Sequence, residues 1–258
     1  PQQQEQEVEG SGSGIIVGQN DSELLIVTNN HVVEGSSTLT VTFIDEESVE
    51  ADIKGTDSDK DLAVVAVPLS KIKDSTMNKI AVATLGDSDK TQVGDQVIAI
   101  GNALGYGQSV TTGIISAKDR EVQLENQTMT LLQTDAAING GNSGGALLNA
   151  SGEVIGINVA KYSSSGSSSN ASVEGMGFAI PISSVKDIIS NLETKETRTK
   201  VSEDERGYLG ISGFDVDEQT SQAYSIPQGI QVQSVVKGGP AENAGIAASD
   251  VITKFDGQ

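Results

Sequence analysis

The chain has 258 residues, enough for one large or two ordinary domains with a sizeable core. Its formal net charge of −20 argues against nucleic acid or an anionic membrane surface as its main partner. It contains no cysteine, so it can form neither a disulfide framework nor a thiolate metal site. Aromatic residues make up only 3% of the chain, so the core must be built from Val, Ile, Leu and Ala.

Residues 1–13 are polar and rich in Gly and Ser, and we expect them to form a flexible arm. From Gly14 to residue 182 the chain is a series of short runs rich in Val, Ile and Thr, separated by Gly, Asn and Asp. This spacing is typical of a barrel or sandwich, and no ten-residue helical pattern separates the runs. The runs predicted as strands are GIIVG, ELLIVTNN, TLTVTFI, DLAVVAV, QVIAIG, QSVTTGIIS, TLLQTD, GALLN, EVIGINVA and GFAIPI.

One helix and a second module follow these strands. The helix is predicted in SSVKDIISNLET, where apolar residues recur at helical spacing after Ser183 or Ser184 as the N-cap. Three further strand-like runs (GYLGISGF, GIQVQSVV and DVITKFDG) flank a short helical turn opened by Pro240. We therefore expect a large β domain at 14–195, a charged linker at 196–206 and a smaller module at 207–258.

Four glycines surround Ser143 in the stretch AINGGNSGGALL. A serine nucleophile needs a base, a group that orients the base, and an oxyanion hole. His31 is the single histidine of the chain and follows an apolar strand, so any imidazole-dependent chemistry must use it. A lone histidine is weak evidence by itself, because most are incidental surface or core residues.

Three aspartates, Asp57, Asp59 and Asp61, are candidates for the orienting acid. A solvated acidic turn and a calcium loop are the alternatives. Leu62 occupies the position where a calcium loop requires glycine. Asp61 directly precedes the apolar run LAVVAV, so it is favoured as the partly buried carboxylate that anchors the imidazole Nδ1–H.

The glycines fit an oxyanion hole, which needs backbone N–H groups aimed at one point. Gly141 can supply one amide beside that of Ser143, while Gly144 and Gly145 allow close approach of a substrate backbone. The chain order His31, Asp61, Ser143 is that of the chymotrypsin-like double β-barrel, in agreement with the all-β pattern.

Several motifs together resemble the HtrA (Deg) family of serine proteases: TNNHVVEG, DLAVVAV, GNALGYGQSVTTGIIS, QTDAAINGGNSGGALLN and GMGFAIPI. Residues from RGYLGISG onward resemble the start of the PDZ domain that follows the protease domain in this family. The resemblance implies the triad His31, Asp61 and Ser143 and an oxyanion hole from Gly141, Asn142 and Ser143. It also implies an ATP-independent endopeptidase of protein quality control and the stress response, without metal or cofactor, that degrades unfolded or damaged proteins.

The resemblance further implies a homotrimer located outside the cytoplasm. A cysteine-free acidic chain with Gln- and Ser-rich tracts suggests a Gram-positive cell-surface member, held to the membrane only through an anchor outside this sequence. Residues 102–107, the segment before Ser143 and the Ser-rich tract 161–175 correspond to the family's regulatory and specificity loops. The carboxylate-binding loop of the PDZ domain corresponds to Tyr208, Leu209, Gly210 and Ile211.

Two features depart from the family pattern. Many members carry proline where this chain has Gly140 and Ala146. The glycine at 140 predicts an oxyanion loop, the segment just before Ser143, that is freer at rest. The PDZ module is shorter than expected, which predicts an incomplete peptide groove.

The specificity pocket is expected near Ile138, Gly140, Ile157 and Asn158. None of these is the acid that selects Lys or Arg, so the predicted preference is for a Val, Ala or Ile side chain before the scissile bond. A chaperone or peptide-binding module that does not cleave is the alternative function.

Overall fold

A computed structural model describes residues 10–102, 107–124, 127–159, 175–197 and 206–255. The chain divides into two compact units, Pro1–Thr199 and Lys200–Gln258, and the division lies within the segment expected to be a linker. No helix in the described ranges is long and apolar enough to cross a membrane.

The first half of the larger unit is a five-stranded sheet in the order β1-β2-β5-β4-β3. All of the paired strands run antiparallel. Within the described residues β1 and β3 are its edges. Its strands are β1 (Ile15–Gln19), β2 (Glu23–Thr28), β3 (Leu39–Thr42), β4 (Ser48–Asp57) and β5 (Leu62–Pro68).

The second half is a closed antiparallel barrel in the order β10-β11-β8-β7-β6-β9. The long strand β7 pairs with β6 through its first residues and with β8 through the rest. The pairing with β8 has register shifts between Ile115 and Ala117 and between Ala117 and Arg120. The all-β prediction is therefore confirmed. The barrel strands are β6 (Gln96–Gly101), β7 (Ser109–Leu124), β8 (Gln127–Thr134), β9 (Ala146–Asn149), β10 (Val154–Val159) and β11 (Gly177–Pro181).

The apolar run of β5 is continuous because both faces of this strand are buried. Ala63, Val65 and Val67 pack into the core of the first sheet. Leu62, Val64 and Ala66 point the other way and join a core shared with the outer face of the barrel and with helix α3. A third cluster, which includes Val97, Ile115 and Leu147, fills the barrel. The two halves of this unit therefore share one apolar interface, which includes one face of β5.

The helices are short: α1 (Asn30–Val33), α2 (Asp74–Met77), α3 (Lys186–Glu193), α4 (Glu218–Tyr224) and α5 (Pro240–Asn243). Helix α3 is the one predicted from apolar spacing, and Val185, Ile189 and Leu192 are buried as that spacing requires. The predicted serine cap is wrong. Residues 182–184 form a 3₁₀ turn, in which the Ser183 hydroxyl bonds Asp87 and the Ser184 hydroxyl bonds Pro181 O, so Val185 precedes the helix.

The smaller unit contains an antiparallel sheet in the order β12-β13-β14. Its strands are β12 (Ile211–Val216), β13 (Gly229–Val235) and β14 (Val251–Ile252). Pro240 opens α5, as expected for a residue that lacks an N–H and has a fixed φ. Helix α4 was not predicted from the sequence.

Candidate active site

His31 and Asp61 meet because β2 and β5 are neighbours. Thr28 at the end of β2 pairs with Ala63 near the start of β5, so the residues just beyond this pair lie side by side. His31 is in the one-turn helix α1 after β2, and Asp61 ends the 3₁₀ turn that leads into β5. The His31 ring Nδ1 lies 2.8 Å from Asp61 Oδ2, and the His31 backbone N–H donates to Oδ1 at 2.9 Å.

Asp61 is held in an unusual backbone conformation. Its φ of 51° and ψ of 47° lie in the left-handed region, which aspartate tolerates better than most residues. The buried Asn29 donates from Nδ2 to Asp61 O at 3.1 Å, and only 7% of Asp61 is exposed. The carboxylate is therefore fixed by its neighbours before any substrate binds.

Neither of the other two acidic candidates contacts the imidazole. Asp57 caps the 3₁₀ turn by accepting from Lys60 N at 2.9 Å. Asp59 lies within that turn and is exposed. Among the described residues, no group of three or more His, Cys, Asp or Glu side chains could hold a metal ion. Asp61 is thus the carboxylate that the geometry assigns to His31.

Ser143 lies in the loop between β8 and β9 and is 5% exposed. It opens onto a cleft of about 220 Å³ that His31 also lines. The other lining residues are Gly10, Ser11, Val32, Gly140 and Gly141. The imidazole, the serine and the glycine loop therefore share one cleft, although they lie far apart in the sequence.

The loop before Ser143 contributes backbone conformations that favour glycine. Gly141 has φ 96°, and within the described residues its N–H has no hydrogen-bond partner. The prediction for Asn142 differs from the structure, because the Asn142 amide donates to Asn139 O at 3.2 Å and closes a turn. Its side chain strengthens this turn by accepting from Asn139 N and donating to Ala137 O. Asn142 thus shapes the loop, and its amide is not aimed into the cleft.

The four residues predicted to form the specificity pocket have different surroundings. Gly140 lines the cleft, and the half-buried Ile138 packs against Gly177 and the barrel core. The prediction for Ile157 is wrong: alternate residues of β10 face opposite sides, and this side chain is fully buried in the core between barrel and sheet.

Asn158 does not line the cleft either. It is fully buried beneath the serine loop, where its backbone pairs with Gly144 and Gly145 at 2.9 Å. Its Nδ2 donates to Ala146 O at 3.1 Å. Asn158 therefore supports the loop that carries Ser143 from below.

Comparison with known proteins agrees with this geometry. The family model for the trypsin-like peptidase domain matches residues 12–157, more than half of the chain, and that for the PDZ domain matches residues 207–258. The "Serine protease Do-like HtrA" of Bacillus subtilis is 41% identical over 265 residues, covering 96% of this chain. The chain belongs to the HtrA family of trypsin-like serine proteases.

Other HtrA relatives show the same extent of similarity. The "Probable periplasmic serine protease do/HhoA-like" of Haemophilus influenzae is 40% identical over 253 residues, which cover 96% of this chain and 50% of the relative. The match covers 55% of the Bacillus protein, so the chain spans about half the length of these curated relatives. The solved structure "HtrA-type protease AlgW with decapeptide" is 36% identical with a TM-score of 0.58, covering 96% of this chain and 70% of that one.

The loop expected to bind carboxylates in the HtrA PDZ unit precedes β12. Tyr208 and Leu209 are 68% and 37% exposed, and Gly210 has φ 77°. The carbonyls of Leu209 and Gly210 are already bonded to Ala241 N and Val236 N. Ile211 begins β12, which within the described residues pairs with β13 on one side only.

Some HtrA segments named from the sequence lie outside the described residues. These are 103–106 of the loop 102–107, nearly all of the tract 161–175 and most of the linker 196–206. The end of the expected arm differs from the prediction. Ser13 is not free, because its backbone N–H donates to Ser143 O at 2.7 Å. Tertiary contacts thus fix a residue whose Gly/Ser surroundings suggested flexibility.

Two residues that contact the site, Ser13 and Asn29, were missed from the sequence. Asn29 stands two residues before His31, in an apolar context (LLIVTNNHVV) that would have justified treating it as buried. Ser13 is in SGSG, directly before the first strand, and gives no comparable signal. Both act through contacts with residues distant in sequence, which local patterns do not reveal.

Proposed function

We propose that this chain carries the catalytic part of an ATP-independent serine endopeptidase that cleaves unfolded or damaged proteins. The observation that carries the proposal is the pair of contacts from Asp61 to His31 at a cleft shared with Ser143. An acyl-enzyme reaction needs these side chains and water, and no nucleotide.

In this mechanism the Ser143 hydroxyl attacks the peptide carbonyl while His31 takes its proton. Asp61 accepts from His31 Nδ1–H, which leaves Nε2 as the base, and it stabilises the imidazolium that forms. The amides of Gly141 and Ser143 bind the developing oxyanion. The imidazolium then protonates the leaving amine, and water hydrolyses the acyl-enzyme by the same steps.

The substrates proposed are unfolded chains with Val, Ala or Ile before the scissile bond. The apolar Ile138 supports this preference, since it lies in the loop between β8 and Ser143. For the PDZ unit we propose binding of peptide C-termini along β12, as an added strand. Solved HtrA-type structures are described with a decapeptide or a tripeptide.

We also propose that the protein acts outside the cytoplasm, as a homotrimer. Relatives from Haemophilus influenzae and Hahella chejuensis are named periplasmic, which supports the location. Anchoring at a Gram-positive cell surface is the finer proposal. Similarity to relatives from the Gram-positive bacteria Bacillus subtilis (41% identical) and Lactococcus lactis (40% identical) supports its Gram-positive part.

Cleavage of casein by the protein and by Ser143→Ala tests the function. We expect the parent to cleave casein without ATP and the variant to lose about 10⁶ in kcat. Equal cleavage by both would refute Ser143 as the nucleophile. If neither cleaved but both suppressed aggregation of a denatured protein, the non-proteolytic chaperone would be favoured instead.

A further inference from the structure

Ser13 links the start of the chain to both halves of the active site. Its backbone N–H donates to Ser143 O at 2.7 Å. Its carbonyl accepts from the Thr28 hydroxyl at 2.6 Å, three residues before His31. The Ser13 backbone therefore joins the loop that carries Ser143 to the end of β2, the strand that leads to His31.

The Ser13 hydroxyl makes two further bonds. It donates to Gly141 O at 2.8 Å and accepts from Asn102 N at 2.8 Å. The roles are unambiguous, because a carbonyl can only accept and an amide N–H can only donate. The hydroxyl thus ties the oxyanion loop to the residue that follows β6.

The carbonyl held by Ser13 belongs to the peptide between Gly141 and Asn142. The opposite side of this planar peptide, Asn142 N–H, donates to Asn139 O at 3.2 Å. This peptide lies between the amides of Gly141 and Ser143, the two proposed oxyanion donors. With its oxygen and its N–H both fixed, it sets the direction of one amide relative to the other.

Close packing leaves Ser13 little freedom. A Cβ added to Gly101 would lie 2.9 Å from the Ser13 hydroxyl oxygen, and one added to Gly145 would lie 3.2 Å from Ser13 Cβ. A Cβ on Gly144 would collide with Ser13 O. Two of the glycines around Ser143 therefore make room for Ser13, a role that the oxyanion argument alone does not give them.

We infer that Ser13 is a positioning residue that orients the oxyanion donors through Gly141 O, an inference that rests on the proposed peptidase function. Gly141 is at φ 96° and glycine is conformationally permissive, so the loop needs an external contact to stay in one orientation. Ser13 supplies this contact without touching the substrate carbonyl.

The test uses Ser13→Ala, a quenched fluorogenic peptide copied from a site cleaved in casein, and a peptide boronic acid of the same sequence. The boronate forms a tetrahedral adduct with Ser143 and so reports on the oxyanion donors. We expect kcat to fall about 10- to 100-fold, less than the loss of an oxyanion donor outright. KM should stay within about twofold, while boronate affinity should weaken in parallel with kcat.

A purely structural role would lower stability without this pattern. Thr76→Val is the matched control. Thr76 lies in α2, and the variant removes a buried hydroxyl that donates to Asp45 Oδ2 at 2.9 Å. It should lower the melting temperature and leave kcat and boronate affinity unchanged. If Ser13→Ala does not fold, Ser13→Cys replaces it, with a smaller but parallel loss of kcat and boronate affinity because a thiol is a weak donor.

A folded Ser13 variant with the kcat and boronate affinity of a parent that cleaves casein would overturn this inference alone. A loss that appears only in stability, or only in KM, would also overturn it. A parent that cleaves nothing would overturn the proposed function and this inference with it.

Discussion

Asp61 holds His31 at two different atoms, the backbone nitrogen and the ring Nδ1, at 2.9 and 2.8 Å. The first contact fixes the position of α1 relative to β5, and the second fixes the tautomer and the tilt of the ring. A single carboxylate thus orients the base and also fastens the element that carries it.

Asp61→Asn should preserve the fold and lower kcat by about 10⁴, as in other Ser-His-Asp proteases, because an amide stabilises the wrong tautomer. Peptide turnover with an unchanged melting temperature checks this. The matched control is Asp59→Asn, two residues away and exposed, which should have parental activity. Comparable losses in both variants would show that Asp61 is not the specific partner of His31.

Gly140→Pro should raise the basal kcat about two- to fivefold. Proline restricts the backbone of a flexible chain, and the ~0.4–1 kcal/mol gained in this way should favour the ordered conformation of the oxyanion loop. A Cβ at Gly140 meets no atom within 4 Å, and its φ is outside the range that favours glycine, so a side chain at this position causes no collision. Unchanged or lower turnover by a folded variant would argue against an oxyanion loop that is mobile at rest. Gly141→Ala is the contrasting variant, expected to lose activity because φ there is 96°.

Gly144→Ala should destabilise the protein by about 2–5 kcal/mol, since φ is positive there and the new methyl group would also collide with Thr28 Oγ1 and Ser13 O. Gly152→Ala is a matched control at nearly the same φ, 78° against 80°, but in open space. It should cost only about 1–2 kcal/mol from the backbone conformation. Urea unfolding of the two variants measures the difference, and equal losses would contradict the packing argument.

Lys54→Met should lower the free energy of unfolding by about 2–4 kcal/mol at pH 7, because it leaves the mostly buried Glu23 carboxylate without its cation. Lys54 Nζ lies 2.6 Å from Glu23 Oε2 and also donates to Thr197 at 3.0 Å. Lys71→Met is the control: its exposed pair with Glu50 spans 3.4 Å and should contribute less than about 1 kcal/mol.

The Lys54 effect should depend on pH. Burial acts to raise the pKa of Glu23, but hydrogen bonds from Lys54, Thr197 and Asn20 and the Lys54 charge outweigh it and hold the pKa below 4.5. A lowered carboxyl pKa stabilises the folded state above pH 4.5, and this contribution disappears as pH falls through the folded-state pKa. The difference between parent and Lys54→Met should therefore shrink from pH 7 to pH 3.5, and a constant difference would contradict the assignment.

The sequence predicted elements whose pattern is local and missed those decided by distant contacts. The apolar run of β5 was recognised, whereas β4 was missed because its sequence, SVEADIKGTD, contains four charged residues and a glycine. Its Val49 and Ala51 are nevertheless buried, since one face of this strand packs into the sheet core.

At the site, chain order and residue type were enough to select His31, Asp61 and Ser143. They could not show that the Asn142 amide is used within a turn, because that depends on how the loop folds back on Asn139. Nor could they separate Ile157 from the pocket, since only the barrel register decides which side of β10 faces the core.

The most direct test of the account is labelling with a fluorophosphonate, followed by mass spectrometry of the digested protein. We expect one label per chain, on the peptide that contains Ser143, with no label on Ser143→Ala and much slower labelling of Asp61→Asn. Label at another residue, or unchanged labelling of Ser143→Ala, would contradict the assignment of Ser143 as the nucleophile that His31 and Asp61 activate.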